Sequence, residues 1–186
     1  VLGPRSPVTL ALYGLEALAH RGADVTVALT PAIGDDIARR GLASPERIVE
    51  VPNGADARTL DAPFDAQARR ARRARQGWSG RFVVLYAGAH GLANDLGQLV
   101  EAAVRLRARE DIRLVAVGDG PQKAALVART RRLGLSNLEW LAPVGRAEIP
   151  GLMDAADAGA AILQKNPTFQ TVYPNKVFDA MARARP

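Results

Sequence analysis

Apolar residues recur along this chain in two rhythms, and the rhythms alternate. Short runs of Val, Ile, Leu and Ala, bounded by Gly, Pro, Asn or Asp, have the pattern of buried strands. Between them apolar positions return every three or four residues, as on a helix with one face in a core. TLALYGLEALAHRG (9–22) reads as a helix with Leu12, Leu15 and Leu18 on one side and Gly22 as its stop. DVTVAL (24–29) is a strand. Thr30 and Pro31 take the N-cap and first helical places of a helix that stops at Gly41. RIVEV (47–51) is the next strand and closes in the turn PNGAD (52–56).

The alternation restarts beyond an Ala- and Arg-rich stretch. RFVVLYA (81–87) predicts a strand, followed by a helix over 94–109. IRLVAV (112–117) predicts a strand, then the turn GDGP and a helix over 121–133 stopped by Gly134. NLEWLA (137–142), a short helix over 148–156, the strand AGAAIL (158–163), a polar loop and a last helix opening at Pro174 complete the series. Strands and helices in this alternation predict an α/β fold with a parallel sheet. In open sheets of this kind ligands gather at the carboxyl ends of the strands. Those ends carry GAHG (88–91), GDGP (118–121), APVG (142–145) and the 164–174 loop.

Composition narrows the classes. The 186 residues include no cysteine, which excludes a disulfide framework, a zinc–thiolate site and a thiol nucleophile. No run approaches the ~20 apolar residues of a membrane helix. The start, VLGPRSPVTL, has no charged segment followed by an apolar run, and no initiator Met, so a fragment of a longer protein is expected. Net charge is +6, and without Arg69, Arg70, Arg72, Arg73 and Arg75 it would be +1. That cluster reads as a solvated connecting helix, or as a contact for anionic lipid or nucleic acid. No aromatic residue interleaves with it, which argues against base stacking.

The candidate chemistry sits in the loops. Gly88 to Gly91 lacks both the G-x-G-x-x-G of a dinucleotide fold and the lysine of a phosphate-binding P-loop. It leaves a turn that a ligand can approach closely, leading into a helix N-terminus that attracts phosphate, or simply a turn needing glycine. His90, one of two histidines, lies inside it and is a candidate for hydrogen bonding or proton transfer. Asp119 is placed to cap the following helix, with Pro121 at its first position. Lys176 and Asp179, three apart on the last helix, share a face: the lysine suits phosphate and the carboxylate suits ribose hydroxyls, or the two form a surface ion pair. Neither D-x-D nor H-x-x-x-H occurs, so no metal site is expected.

The order of these segments carries a resemblance. ADVTVALTPAI, RIVEVPNGAD, VLYAGAHGLAND, VAVGDGPQKAAL, NLEWLAPVGRAEIPGLMDAADAGAAIL and YPNKVFDAMARARP together resemble a retaining glycosyltransferase of family 4, most like the bacterial branch that builds surface polysaccharide on a lipid carrier. The resemblance implies the GT-B fold, two Rossmann-like domains with helices on both sheet faces. Residues 1–56 would end the acceptor domain, 57–80 would be a basic connector, and 81–186 would be a nucleotide-sugar domain cut short. It implies that Gly88, His90, Gly91, Asn94 and Lys176 meet the donor diphosphate. Val144 and Arg146 would meet the base, Asp179 the ribose, and Gly118 and Asp119 would line a second loop. The first acid of the family's E-x7-E pair falls at Thr171 and is lost. The implied reaction is metal-independent, cofactor-free sugar transfer with retention to a glycan or lipid-linked acceptor. The catalytic residues are expected outside this chain, leaving it able to bind but not to turn over. A cytoplasmic location with peripheral contact at an anionic membrane is the expectation, and nucleic acid is not an expected partner. The alternatives are a nucleotide-sugar epimerase of the same fold and a non-catalytic α/β module that binds nucleic acid through the arginines.

Overall fold

A computed structural model describes residues 3, 5–56, 64–167 and 169–186. Residues 57–63 of the expected connector lie outside the described residues. The chain divides into two units, residues 1–53 with 170–173, and residues 54–169 with 174–186.

In the first unit, α1 (Pro7–Gly22) opens at Ser6, whose hydroxyl accepts the Thr9 N–H at 3.1 Å. The start lies two residues before the predicted one, because Ser6 and Pro7 supply the cap and first position. Strands β1 (Thr26–Ala28) and β2 (Ile48–Glu50) pair in parallel, with Thr26 opposite Ile48. Between them α2 (Pro31–Arg39) is capped by Thr30, as predicted, and ends before Gly41 at φ 64°. Ile37 and Ala28 are buried where α2 packs, and a Cβ on Gly34 would stand 3.3 Å from Ile48. Leu12, Leu15 and Leu18 do not enter a core: they are 56%, 62% and 67% exposed, and Val25, Val27, Val49 and Val51 are exposed as well.

The second unit is built on a four-stranded parallel sheet in the order β5-β4-β3-β6, with β3 (Phe82–Ala87), β4 (Ile112–Val117), β5 (Leu138–Leu141) and β6 (Ala158–Gly159). Alternation along the central strands divides two cores. Val83, Leu85, Val115 and Val117 point to one face, under Leu152, Met153 and Ala180. Tyr86, Leu114 and Ala116 point to the other, under Leu99, Val100 and Leu126. Helices α4 (Gly97–Arg105) and α5 (Lys123–Arg132) cover one face; α6 (Ile149–Ala155) and α7 (Asn175–Ala182) cover the other. The expected α/β fold with helices on both faces of a parallel sheet is therefore present.

Several local expectations differ. The helix predicted over 94–109 becomes a short turn at Leu92–Asn94 and then α4. Asp95 stands at φ 40°, a left-handed conformation that interrupts the helix, and its carboxylate takes the Gln98 side-chain amide at 2.8 Å. At the far end α4 stops at Arg105, and the backbone passes into tighter turns, with the Arg107 N–H on the Val104 carbonyl (3.3 Å) and the Arg109 N–H on the Leu106 carbonyl (2.9 Å). β6 holds two residues rather than six. After Ala160 bonds Leu85, the chain leaves the ladder, and the Gln164 N–H bonds the Ala93 carbonyl at 2.8 Å.

The basic stretch forms α3 (Ala66–Arg75), capped by Asp65. It is not a wholly solvated connector. Arg69 and Arg73 both pair with Asp157, at 2.6 and 2.9 Å, and Arg73 also bonds the Ala155 and Trp78 carbonyls. Asp157 in turn accepts the Val83 N–H at 2.8 Å. Arg70 and Arg75 remain exposed. Two of the five arginines thus hold the helix to the first strand of the sheet.

Candidate functional site

The strand order places β3 between β4 and β6, so the crossovers diverge between β3 and β6. A crevice opens outside the carboxyl ends at such a reversal. The loops after β3 and β4 continue the ladder beyond the strands. Gly88 N–H donates to the Val117 carbonyl (3.0 Å), His90 N–H to Asp119 (2.8 Å) and Gln122 N–H to His90 (3.0 Å). This contact demands glycine. At Gly118, φ is 138° and a Cβ would lie 2.0 Å from the Gly88 oxygen. Gly91 has an ordinary φ of −104°, and a Cβ there would meet nothing within 4 Å. Its missing side chain leaves the loop open on that side.

Lys176 reaches this edge from the first turn of α7. Its Nζ donates to Asn94 Oδ1 at 2.9 Å, lies 3.4 Å from the Tyr86 hydroxyl, and sits 4.8 Å from the Tyr86 ring centroid. Its Cε and Nζ are close neighbours of Gly88. Gly88, Asn94 and Lys176 therefore come together, with Gly91 in the same loop. Among the described residues no carboxylate pairs with this ammonium, and burial holds Lys176 below its usual pKa. Burial also pushes the Tyr86 hydroxyl up to about 12, so it stays neutral and donates to the Ala89 carbonyl at 2.8 Å.

His90 lies elsewhere than its expected role implies. The imidazole is fully buried between Tyr86 and Trp140, whose ring centroids are 6.1 and 5.4 Å away. Neither ring nitrogen makes a hydrogen bond. Burial and then the Lys123 charge hold its pKa below the usual value, while Asp119 and the Val117 carbonyl pull the other way. In this conformation the ring packs beneath the loop, and only its backbone belongs to the edge.

Asp119 is not the helix cap. α5 begins two residues after Pro121, and the Asp119 carboxylate accepts the Gly120 N–H at 2.8 Å. Lys123, which the sequence reading passed over, donates to the Gly118 carbonyl (2.6 Å) and the Leu141 carbonyl (2.8 Å). It ties the ends of β4 and β5 together, a role without a local sequence signal because its partners are backbone atoms of two distant strands.

A second concavity lies beside α7. It encloses about 240 Å³ and is lined by Gly54, Asp56, Arg146, Ile149, Asn175 and Asp179 among others. Arg146 and Asp179, assigned to base and ribose on different grounds, share it. Its volume lies under the usual ~300–1,000 Å³ of a whole-ligand pocket, so it suits one part of a larger ligand. Val144 packs against the core below. Tyr86 and Asn175 were not foreseen; Tyr86 ends an apolar strand with a polar tip, a weak signal for an edge position.

A family profile described as glycosyl transferases group 1 matches residues 81–186. A provisionally named colanic acid biosynthesis glycosyl transferase of Escherichia coli (strain K12), WcaI, is 27% identical over 143 residues, 77% of this chain and 34% of that protein. Two solved structures share the fold. Anabaena HepE in complex with UDP has a TM-score of 0.79 at 22% identity, covering 100% of this chain and 50% of that one. WaaG, a glycosyltransferase involved in lipopolysaccharide biosynthesis, has a TM-score of 0.80 at 19% identity, covering 98% and 49%. The chain thus spans about a third to a half of the length of these relatives.

Proposed function

The chain belongs to the glycosyl transferases group 1 family, and from that membership we propose that residues 81–186 bind the nucleotide diphosphate of a sugar donor. The observation that carries this reading is the Lys176 ammonium, lodged against Asn94 and Gly88 at the strand-order reversal with no anionic partner among the described residues. A diphosphate placed there meets a cation whose burial is otherwise uncompensated, together with the open turn at Gly91. The base and ribose then fall to the adjoining concavity, where Arg146 and the Asp179 carboxylate stand. Asp179 has one methylene less than the glutamate of the family pattern and reaches correspondingly less far. Asn94 positions Lys176, and His90 supports the loop from beneath.

The reaction we propose for the whole protein is transfer of a sugar to a glycan or lipid-linked acceptor, with retention and without a metal. Charge developing on the leaving diphosphate would be met by fixed donors and by Lys176. The groups that bind the acceptor and complete catalysis are assigned outside these 186 residues, whose expected behaviour alone is binding without turnover. UDP is the first ligand to test because the similar Anabaena protein holds it. Calorimetry with UDP, GDP and ADP should show saturable binding of at least one, unchanged by EDTA. Absence of binding to all three by a chain with intact far-UV circular dichroism would overturn the reading.

A further inference from the structure

The edge of the sheet opposite the candidate donor site carries a second concentration of charge. The strands are parallel, so Arg81 and Arg113, at the starts of β3 and β4, share that edge with the loops ending α4 and α5. They line a cleft of about 320 Å³ with Arg107, Arg109, Glu110 and Asn137. Arg105, Arg131 and Arg132 are exposed on the last turns of the helices that run to this edge.

Part of this charge has a local explanation. Arg107 caps the Leu133 carbonyl at the end of α5, and Arg109 is paired with Asp111 through its Nε and Nη2 at 2.8 and 2.6 Å. Arg81 and Arg113 are different. The Arg81 side chain has no hydrogen bond or ion pair among the described residues. Arg113 donates one arm to the Ser136 carbonyl (2.7 Å), but its buried Nε has no partner. Asn137 is 6% exposed; its amide nitrogen is fixed on the Ala103 carbonyl (2.9 Å), and its Oδ1 is left without a donor. A buried unpaired donor and a buried unpaired acceptor thus belong to two residues that line one cationic cleft.

We propose that this cleft is a binding site for a phosphate-class oxyanion, held by Arg81 and Arg113 and separate from the donor site. A phosphate offers acceptor oxygens to the guanidinium groups of Arg81 and Arg113. Burial and then the Arg81 charge already push the Arg113 guanidinium below its usual pKa, with Glu139 opposing; a bound anion relieves that like-charge contact. Glu139 does not fill the role, since its carboxylate accepts the Trp78 indole N–H at 3.0 Å. Glu110 is the acid that an incoming anion would have to displace or avoid.

The phosphate can be free or the headgroup of a lipid surface, and the test separates the two. The full chain would be titrated with inorganic phosphate and pyrophosphate, and sedimented with phosphatidylcholine vesicles with and without phosphatidylglycerol. Lys176→Ala, which empties the donor site of its cation, is used throughout; Arg81→Gln and Arg113→Gln are compared in that background. Binding that survives Lys176→Ala and weakens about ten-fold or more in both arginine variants supports the site. If it is seen in solution the ligand is a free oxyanion; if only on phosphatidylglycerol vesicles, a lipid phosphate. Arg81→Gln breaks no side-chain hydrogen bond or ion pair among the described residues, so it decides the matter should Arg113→Gln unfold. No binding to either probe, or binding that the arginine variants leave unchanged, would overturn the proposal.

Discussion

Lys176 concentrates the argument at the scale of single residues. Its ammonium is held by an amide oxygen and an aromatic face, neither of which cancels its charge. Because burial lowers its pKa from 10.5, the neutral form gains population at a pH below that value. The lysine's contribution to diphosphate affinity is therefore expected to fall as pH rises through its lowered pKa. An Arg in its place, Lys176→Arg, keeps its charge and should remove that alkaline loss, which isothermal titration across the alkaline range would read. His90 gives the opposite sign. Its folded pKa is held below 6.5, so the folded form resists protonation and loses stability as pH falls below that value. Tyr86 and Trp140 flank the ring, and Lys123 and Asp119 are the charges that face it. His90→Leu should flatten this acid dependence in thermal melts between neutral pH and pH ~5; an unchanged slope would assign it elsewhere.

At the scale of elements, two devices hold the site in register. The first is the pairing of the loops after β3 and β4, which leaves no room for a side chain at residue 118. Gly118→Ala should cost at least about 1–3 kcal/mol of stability in denaturant melts and weaken nucleotide binding, because the loops must part. The second is the fastening of α3. Burial alone would raise the Asp157 pKa, but the Val83 N–H and the guanidinium groups of Arg73 and Arg69 outweigh it and hold it below 3.8. A depressed carboxylate contributes stability above its unfolded pKa and loses it as pH falls through the folded value. The α3 attachment should hold down to about pH 4 and loosen below it. Arg73→Ala should remove about 2–3 kcal/mol at neutral pH, since it leaves a half-buried carboxylate with one cation fewer. An effect under ~0.5 kcal/mol would show that the pair contributes no more than a surface one.

At the scale of the whole molecule, the sheet and both helical layers were legible in the sequence, because the two apolar periods alternate cleanly from Phe82 to Ala180. Glycine and proline also marked the edge where the loops gather. Three kinds of feature were hidden. Interruptions such as Asp95 depend on a backbone conformation that no pattern of polarity announces. Partners far apart in the chain, such as Arg73 with Asp157 or Lys123 with Leu141, leave charges that look solvated. Burial of a polar ring was also invisible, since His90 has the sequence context of a ligand contact and packs in the core. Among the site residues that the resemblance implied, Gly88, Asn94 and Lys176 come together in one place and Arg146 with Asp179 in another.

The most direct test of the central claim compares two ligands on two proteins. Calorimetric titration of UDP and of uridine is made with the chain and with its Lys176→Ala variant. The account predicts that UDP loses about ten-fold or more in affinity, as for a lost charge-assisted contact, while uridine changes by less than about two-fold. Equal losses for both ligands, or no loss for UDP, would contradict it and remove Lys176 from the phosphate.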